Sequence, residues 1–315
     1  MRNIKIATTI YFLIFVLACL NTASLFAQKK IERQDSWYEQ LQAGTVSIGC
    51  LDSIKGRLSN KWFKYYNIIG TGVIFYVKDK LGVLPVLVTA KHVIQDSNNN
   101  FIDSIRIRFS NDDDLSVFDF WGYRITLKDK KSINFFMLPD STIDLVAIPL
   151  IFDSKPSVNF SVPAAVPYRY FPTKNYYYEG ADIIVLGYPG AVGFNYWTRA
   201  LLRKGIISWV PKTELAKRKF LIDCNVFPGN SGGPVFSIPN YITTDTTLGG
   251  EVKFLGIVVE RRFNKNKVYQ SKSNIPFRDS AGTEILSLES IGVGVVEPAE
   301  NILKLLEELE KVMNK

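Results

Sequence analysis

A serine set among glycines is the first residue of this sequence that could do chemistry. It lies in the segment Pro228-Gly-Asn-Ser-Gly-Gly-Pro234. Glycine permits positive φ and lets another chain approach the backbone closely, so the segment fits a tight, exposed turn. In such a turn the N–H groups of Gly229 and Ser231 can point at one spot, where they would bind the negative oxygen formed when Ser231 attacks a carbonyl. The alternative is a simple hairpin loop, which the same residues also favour.

Serine is a weak nucleophile and needs a base that takes its proton. The sequence contains a single histidine, His92, so only one imidazole is available for that task. It lies near the end of the apolar segment Val88-Thr-Ala-Lys-His-Val93. The alternative is an incidental histidine at the end of a strand, and its coincidence with the serine motif argues against that interpretation.

A catalytic imidazole needs an acceptor that holds its tautomer and stabilises its charged form. Asp144 opens the apolar segment Asp144-Leu-Val-Ala-Ile-Pro149. A carboxylate at the edge of such a segment must be solvated, capped or paired, and pairing with His92 gives it a reason to be there. None of the rival aspartates leads directly into a comparable strand; the rivals are Asp103, Asp140 and Asp153. His92, Asp144 and Ser231 are therefore the predicted triad.

The elements that must position these side chains read mostly as short strands separated by turn residues. Such spacing is typical of sandwiches and barrels, and the lack of alternation with long helices argues against a parallel α/β sheet. The predicted strands are 45–50, 72–77, 83–89, 105–109 and 144–150, followed by 182–187, 201–210, 220–224, 235–236, 254–259 and 291–296. The segment 154–180 is rich in Pro and Tyr and is interpreted as a connection.

The last segment of the chain changes period. Its apolar residues recur on one helical face, and Pro298 is placed for a helix start, so a terminal helix packed on the body is predicted. The residues of that face are Ile302, Leu305, Leu306, Leu309 and Met313.

The candidate motifs follow one another in the order His, Asp, Ser. They are Thr89-Ala-Lys-His92, Asp144-Leu-Val-Ala147 and Gly229-Asn-Ser-Gly-Gly-Pro234. This order and these surroundings resemble the chymotrypsin-like, or trypsin-fold, serine peptidases. Further segments resemble those of bacterial members and extend the resemblance over roughly residues 44–312; they are Gly70-Thr-Gly72, Gly187-Tyr-Pro-Gly190, Gly256-Ile-Val-Val259 and Gly292-Val-Gly-Val-Val-Glu-Pro298.

The resemblance implies an all-β fold of two antiparallel six-stranded β-barrels with a C-terminal α-helix. The first barrel would carry His92 and Asp144, and the second would carry Ser231. The implied domains are the first barrel at 28–155, an interbarrel linker at 156–180, the second barrel at 181–297 and the helix at 298–315.

The residue before the serine separates this chain from the animal trypsins. They carry an aspartate there, which receives a new N-terminal amine on activation, whereas this chain has the neutral Asn230. A neutral residue at this place resembles the HtrA-type bacterial stress proteases. Only 17 residues follow Pro298, too few for another domain, so we expect a protease domain without PDZ domains.

By the same resemblance, the chain is expected to be a serine endopeptidase that hydrolyses polypeptide substrates through an acyl-enzyme. The oxyanion hole would consist of the N–H groups of Gly229 and Ser231, and no metal or organic cofactor is implied. In the substrate pocket, Arg261 would favour acidic or polar side chains and Glu260 the reverse; the alternative is that either side chain simply faces solvent. The residues implied to line the pocket are Asn225, Val259, Glu260, Arg261, Gly292 and Gly294.

Two other classes of function are the alternatives. One is a catalytically silent module of the same fold that binds peptides or envelope partners, and a complete triad argues against it. The other is an esterase or lipase with a nucleophile elbow, in which the histidine follows the serine and the serine leads into a helix. Here the histidine comes first and the serine precedes another predicted strand.

The N-terminus is typical of a signal peptide, which predicts a secreted or periplasmic protein. Arg2 and Lys5 precede an apolar stretch at 10–20, and the expected cleavage follows Ala27. The apolar stretch is short for a membrane span, which needs about 20 residues. Two alternatives would attach the protein to a membrane: an uncleaved signal, or cleavage at a lipoprotein box with lipidation of Cys19.

Cysteine count and charge exclude several classes of protein. Removal of Cys19 with the signal leaves Cys50 and Cys224, too few for a disulfide framework. Two buried free thiols are expected because these cysteines fall in opposite halves of the fold.

The formal charge is +8, but the basic residues occur in small groups without a zinc-finger or RNP pattern. This argues against nucleic acid as a partner and for a basic surface, loosely attracted at most to anionic envelope lipids or polymers.

Overall fold

The computed structural model describes most of the chain after residue 36. The described residues are 37–55, 61–80, 82–109, 122–129, 132–150, 164–172, 177–190, 199–212, 218–238, 252–267 and 286–315. The predicted signal peptide, Cys19 and Asp153 lie outside them. Contacts divide the chain into Met1–Glu39 and Gln40–Lys315. Helix α1 (Trp37–Ala43) begins in the first unit, and all other described elements belong to the second.

The first sheet has six antiparallel strands in the order β5-β4-β1-β2-β3-β6. Apolar side chains that alternate with polar ones give this sheet a buried face. In β4, the side chains of Ile105 and Ile107 are buried, while the arginine between them is more exposed. Thr89 at the end of β3 pairs with Val146 at the start of β6, so the segments that follow β3 and precede β6 lie side by side. The strands are β1 (Thr45–Lys55), β2 (Trp62–Asp79), β3 (Gly82–Thr89), β4 (Ser104–Phe109), β5 (Tyr123–Thr126) and β6 (Val146–Pro149).

The second sheet closes on itself as a six-stranded antiparallel barrel in the order β10-β11-β12-β9-β8-β7. Closure leaves no sheet edge exposed, and an apolar cluster fills the interior. That cluster includes Ile183, Val185, Ile207, Phe220, Ile222, Val235, Leu255, Val258 and Val296. The strands are β7 (Asp182–Gly187), β8 (Leu201–Trp209), β9 (Phe220–Asp223), β10 (Pro234–Ser237), β11 (Phe254–Lys267) and β12 (Leu286–Pro298).

The terminal helix α2 (Ala299–Met313) begins directly after Pro298, whose backbone is extended. The predicted apolar face is buried at Ile302, Leu305, Leu306 and Leu309. The helix contacts β2 and β6 of the first sheet and β11 and β12 of the barrel. Burying each such side chain contributes about 2 kcal/mol, so the helix fastens the two sheets to each other.

The structure confirms the predicted fold class and adds elements that the sequence did not indicate. The first sheet is an open half-barrel among the described strands, and the second is closed. Strand β5 was missed because it has four residues and buries only Ile125. Cys50 and Cys224 are free thiols, as predicted, but only Cys224 is buried, whereas Cys50 is partly exposed. None of the described helices is long and apolar enough to cross a bilayer. The predicted domain boundaries stay predictions.

Candidate active site

His92 lies in a short 3₁₀ turn, Lys91–Ile94, that follows β3. The turn is anchored by the buried side chains of Val93 and Ile94. The backbone N–H of Lys91 donates to the carbonyl oxygen of Asp144 at 3.3 Å, which joins this turn to the segment before β6. The buried side chains of Val93 and Ile94 therefore hold the turn in place, while the side chain of His92 remains 44% exposed.

Asp144 binds His92 with both of its carboxylate oxygens. Oδ2 lies 2.7 Å from the ring Nδ1, and Oδ1 accepts the backbone N–H of His92 at 3.2 Å. When Nδ1 carries the proton of a neutral imidazole and donates it to the carboxylate, Nε2 keeps a lone pair. This is the arrangement that a general base requires.

The surroundings of Asp144 favour its ionised form. Burial raises the pKa of Asp144, but the hydrogen bonds and charge of His92 and the charge of Lys219 outweigh burial and lower that pKa below its ordinary value. The carboxylate is therefore available to stabilise a positive charge on His92.

Ser231 lies in the turn between β9 and β10. The turn is closed by backbone hydrogen bonds from Asn230 to Phe227 at 3.0 Å and from Gly233 to Asn230 at 2.8 Å. Gly229 has φ +95°, and a Cβ there would collide with the carbonyl oxygen of Tyr188. Only glycine fits this position without strain.

The amides of Gly229 and Ser231 donate no hydrogen bond within the described part of the chain. Ser231 is partly exposed, so these donors belong to a turn that solvent reaches. Unpaired N–H groups close to a nucleophile can bind an oxyanion.

Thr71 joins the serine turn to the first sheet. Its N–H donates to the carbonyl of Ser231 at 2.8 Å, and its hydroxyl donates to the carbonyl of Gly229 at 2.6 Å. The same hydroxyl accepts the N–H of Tyr188 at 3.0 Å, and the hydroxyl of Thr89 donates to the Thr71 carbonyl at 2.7 Å. Because Thr71 is completely buried, this network fixes the serine turn against the strand that leads to His92.

Gly70 brings the histidine and serine segments together. A Cβ at Gly70 would lie 2.8 Å from Cγ2 of Val93 and 3.2 Å from the carbonyl oxygen of Ser231. Only a residue without a side chain leaves room for both segments. The neighbours of His92 and the backbone of Ser231 thus meet at one point of β2.

The match to known proteins agrees with this geometry. Residues 70–240, more than half of the chain, match the family model of the trypsin-like peptidase domain. The chain belongs to this family. No curated protein matches its sequence. Membership shows a protease-type function with peptide substrates, and the matched residues include all members of the predicted triad.

The residues predicted to line the substrate pocket of this peptidase domain lie on adjoining segments. Arg261 of β11 pairs with Gly294 of β12, and a Cβ at Gly292 would lie 3.5 Å from Oδ1 of Asn225. Asn225 is exposed, whereas Val259 is buried. These positions therefore share one region of the second barrel, and their role in substrate binding stays a prediction.

The charges predicted to decide specificity differ in their surroundings. Glu260 is exposed and forms an ion pair with Arg262, with 3.1 Å between Oε1 and Nη1. Arg261 is partly buried, and burial lowers its pKa. The charge of Glu260 is thus balanced by its neighbour.

Two residues that the sequence did not single out lie against the predicted triad. Thr71 was noted only as the middle of a Gly-Thr-Gly segment, and Glu297 only as part of the last strand. The backbone N–H of Asp144 donates to Oε2 of Glu297 at 3.4 Å. A carboxylate inside the apolar stretch 291–298 is a signal that could have pointed to it, for the same reason that pointed to Asp144.

Proposed function

We propose that the protein is an exported serine endopeptidase that cleaves peptide bonds through Ser231, His92 and Asp144. The observation that carries this proposal is the 2.7 Å contact between Nδ1 of His92 and the carboxylate of Asp144. It orients the only imidazole of the chain as a base. The nearby serine turn has two amides, those of Gly229 and Ser231, that donate to no described group.

The proposed reaction has an acylation and a deacylation half. Nε2 of His92 takes the proton of the Ser231 hydroxyl as its oxygen bonds to the substrate carbonyl carbon, and the amides of Gly229 and Ser231 bind the resulting oxyanion. His92 then gives the proton to the leaving amine as the C–N bond breaks. A water that loses a proton to His92 attacks the acyl carbon, and His92 gives that proton to the Ser231 oxygen as the ester C–O bond breaks, which releases the acid and restores Ser231.

We also propose that activity does not require a newly formed N-terminus, as in an HtrA-type protease domain. Asn230 supports this because its side chain is neutral and 1% exposed, and its amide packs against Gly187. It offers no carboxylate to a terminal amine. The charged and apolar pattern of the first 27 residues supports export to the periplasm or the medium. The family match supports polypeptides, rather than nucleic acid, as partners.

The test is hydrolysis of unfolded casein by protein purified after expression of the full chain. Loss of the nucleophile of a serine protease costs about a millionfold in kcat, so Ser231→Ala should show no measurable hydrolysis. Ser208→Ala is the matched control, because Ser208 is an exposed serine of β8, and it should keep the rate of the wild type. Equal hydrolysis by Ser231→Ala and the wild type would exclude the proposed mechanism.

A further inference from the structure

Glu297 is a carboxylate buried behind the predicted triad. It lies near the end of β12, just before Pro298, and its side chain is 1% exposed. Its Oε1 accepts the side-chain amide of Asn301 at 2.7 Å. Its Oε2 lies 3.6 Å from Nζ of Lys219 and accepts the backbone N–H of Asp144 at 3.4 Å.

Such a residue is costly unless its contacts compensate for lost hydration. Burial raises the pKa of Glu297, while the hydrogen bond from Asn301 and the charge of Lys219 act in the opposite direction. An apolar residue would fill the same space without that cost. The donors around Glu297 therefore form a site for a carboxylate, and one of these donors belongs to Asp144.

We propose that Glu297 is a positioning residue, which holds Asp144 by its backbone amide and, together with Lys219, adjusts the charge that His92 experiences through Asp144. This inference rests on the proposed function. It adds a second, buried carboxylate next to Asp144.

Within the described part of the chain, few charged groups face Glu297 from the elements packed around it. Asp144 faces it from the segment before β6, and Lys219 from the segment before β9. Helix α2 contributes the neutral Asn301, and the pairing partner of Glu297 on β11 is the apolar Ile257. Asp144 connects Glu297 to the imidazole of His92, because its carboxylate contacts that ring.

The sign of the effect follows from these charges. A negative charge near an imidazole favours its protonated form, and a positive charge disfavours it. Removing the charge of Glu297 should therefore make His92 lose its proton at a lower pH. Removing the charge of Lys219, which also acts on Asp144, should have the opposite effect.

Because His92 is the only histidine of the chain, its titration can be followed directly by NMR. The protein, purified with a histidine-free tag, is labelled at the imidazole Cε1 and titrated as wild type, Glu297→Gln and Glu300→Gln. Glu300 is the matched control: it lies three residues further on, is partly buried and accepts a hydrogen bond from Tyr177.

The midpoint of the His92 titration should be lower in Glu297→Gln than in the wild type, and the midpoint in Glu300→Gln should equal that of the wild type. An unchanged midpoint in Glu297→Gln, or equal shifts in both variants, would overturn the proposal. Should Glu297→Gln fail to fold, Lys219→Gln replaces it, since Lys219 is partly exposed; its midpoint should rise, and an unchanged or lower midpoint would overturn the proposal.

The same variants separate this inference from the proposed function. If the wild type hydrolyses casein, the acidic limb of kcat/KM in Glu297→Gln should move to lower pH together with the NMR midpoint. If the wild type is inactive, the proposed function fails, whereas the NMR titration still tests the link between Glu297 and His92. A purely structural role would lower the melting temperature without moving either value.

Discussion

The two sheets supply their parts of the site in different ways. The first sheet presents side chains, His92 and Asp144, held by hydrogen bonds between an imidazole and a carboxylate. The second presents mainly backbone, because the turn around Ser231 depends on the positive φ of Gly229 and on amides that donate to no other described group. The pair His92 and Asp144 should therefore be sensitive to changes in side-chain chemistry, and the turn around Ser231 to changes in backbone shape.

Among the changes that test this contrast, the largest expected effect comes from removing the charge of Asp144. Asp144→Asn keeps the shape of the side chain but removes its charge and favours the wrong imidazole tautomer, which costs about 10⁴-fold in kcat in a triad of this kind. The measurement is kcat for casein at neutral pH. Asp140→Asn is the control, since Asp140 is exposed and binds Thr142, and it should stay within about twofold of the wild type. A loss below about tenfold in Asp144→Asn would contradict the role of this carboxylate.

The next largest effect is expected when the shape of the turn around Ser231 is changed without removing a functional group. Gly229→Ala adds a methyl group that collides with the carbonyl of Tyr188, so the turn must shift, and the proposed oxyanion donors must shift with it. We expect a loss of about 10² to 10³ in kcat.

Gly180→Ala is the control for Gly229→Ala. Gly180 also has positive φ, +84°, but a Cβ there meets nothing within 4 Å. It should lose about 1 kcal/mol of stability through backbone strain and keep its activity. Equal kcat losses in the two variants would show that strain, and not the position of the oxyanion donors, determines activity.

A smaller effect tests the contact between the two sides. Thr71→Val leaves the carbonyl of Gly229 and the N–H of Tyr188 without their partner in a buried site, which should cost about 3 kcal/mol of unfolding free energy. The rate should fall about tenfold as the serine turn loosens. Thr45→Val, at a buried threonine that binds Leu41, should lose stability alone. Unfolding in urea and casein hydrolysis measure both quantities, and unchanged activity in Thr71→Val would remove Thr71 from the site.

The smallest effect concerns stability at low pH. Because the pKa of Asp144 is lowered in the folded protein, its ionised form stabilises the fold above the ordinary aspartate pKa of about 3.9, and this contribution is lost as the pH falls through the lowered value. Asp144→Asn should therefore reduce the loss of unfolding free energy between about pH 5 and pH 3. Urea unfolding across that range measures it, and an identical pH dependence in both proteins would contradict the direction of the shift.

The sequence predicts those parts of the candidate site that depend on residue type. A single histidine, a carboxylate opening an apolar strand and a serine among glycines predict His92, Asp144 and Ser231, and alternation predicts most strands. The support around them was not predictable, because the contact of Thr71 with Gly229 spans 158 residues and that of Asp144 with Glu297 spans 153. Which buried groups meet across such distances depends on the fold, and no local pattern contains it.

The most direct test of the central claim is the site of reaction with a fluorophosphonate. Such a reagent bonds to a serine oxygen that a neighbouring base activates, and mass spectrometry of peptides locates the adduct. We expect one adduct, on Ser231, in the wild type, and none in Ser231→Ala. An adduct on another serine, or none on wild-type protein that is folded and hydrolyses casein, would contradict the assignment of Ser231 as the nucleophile.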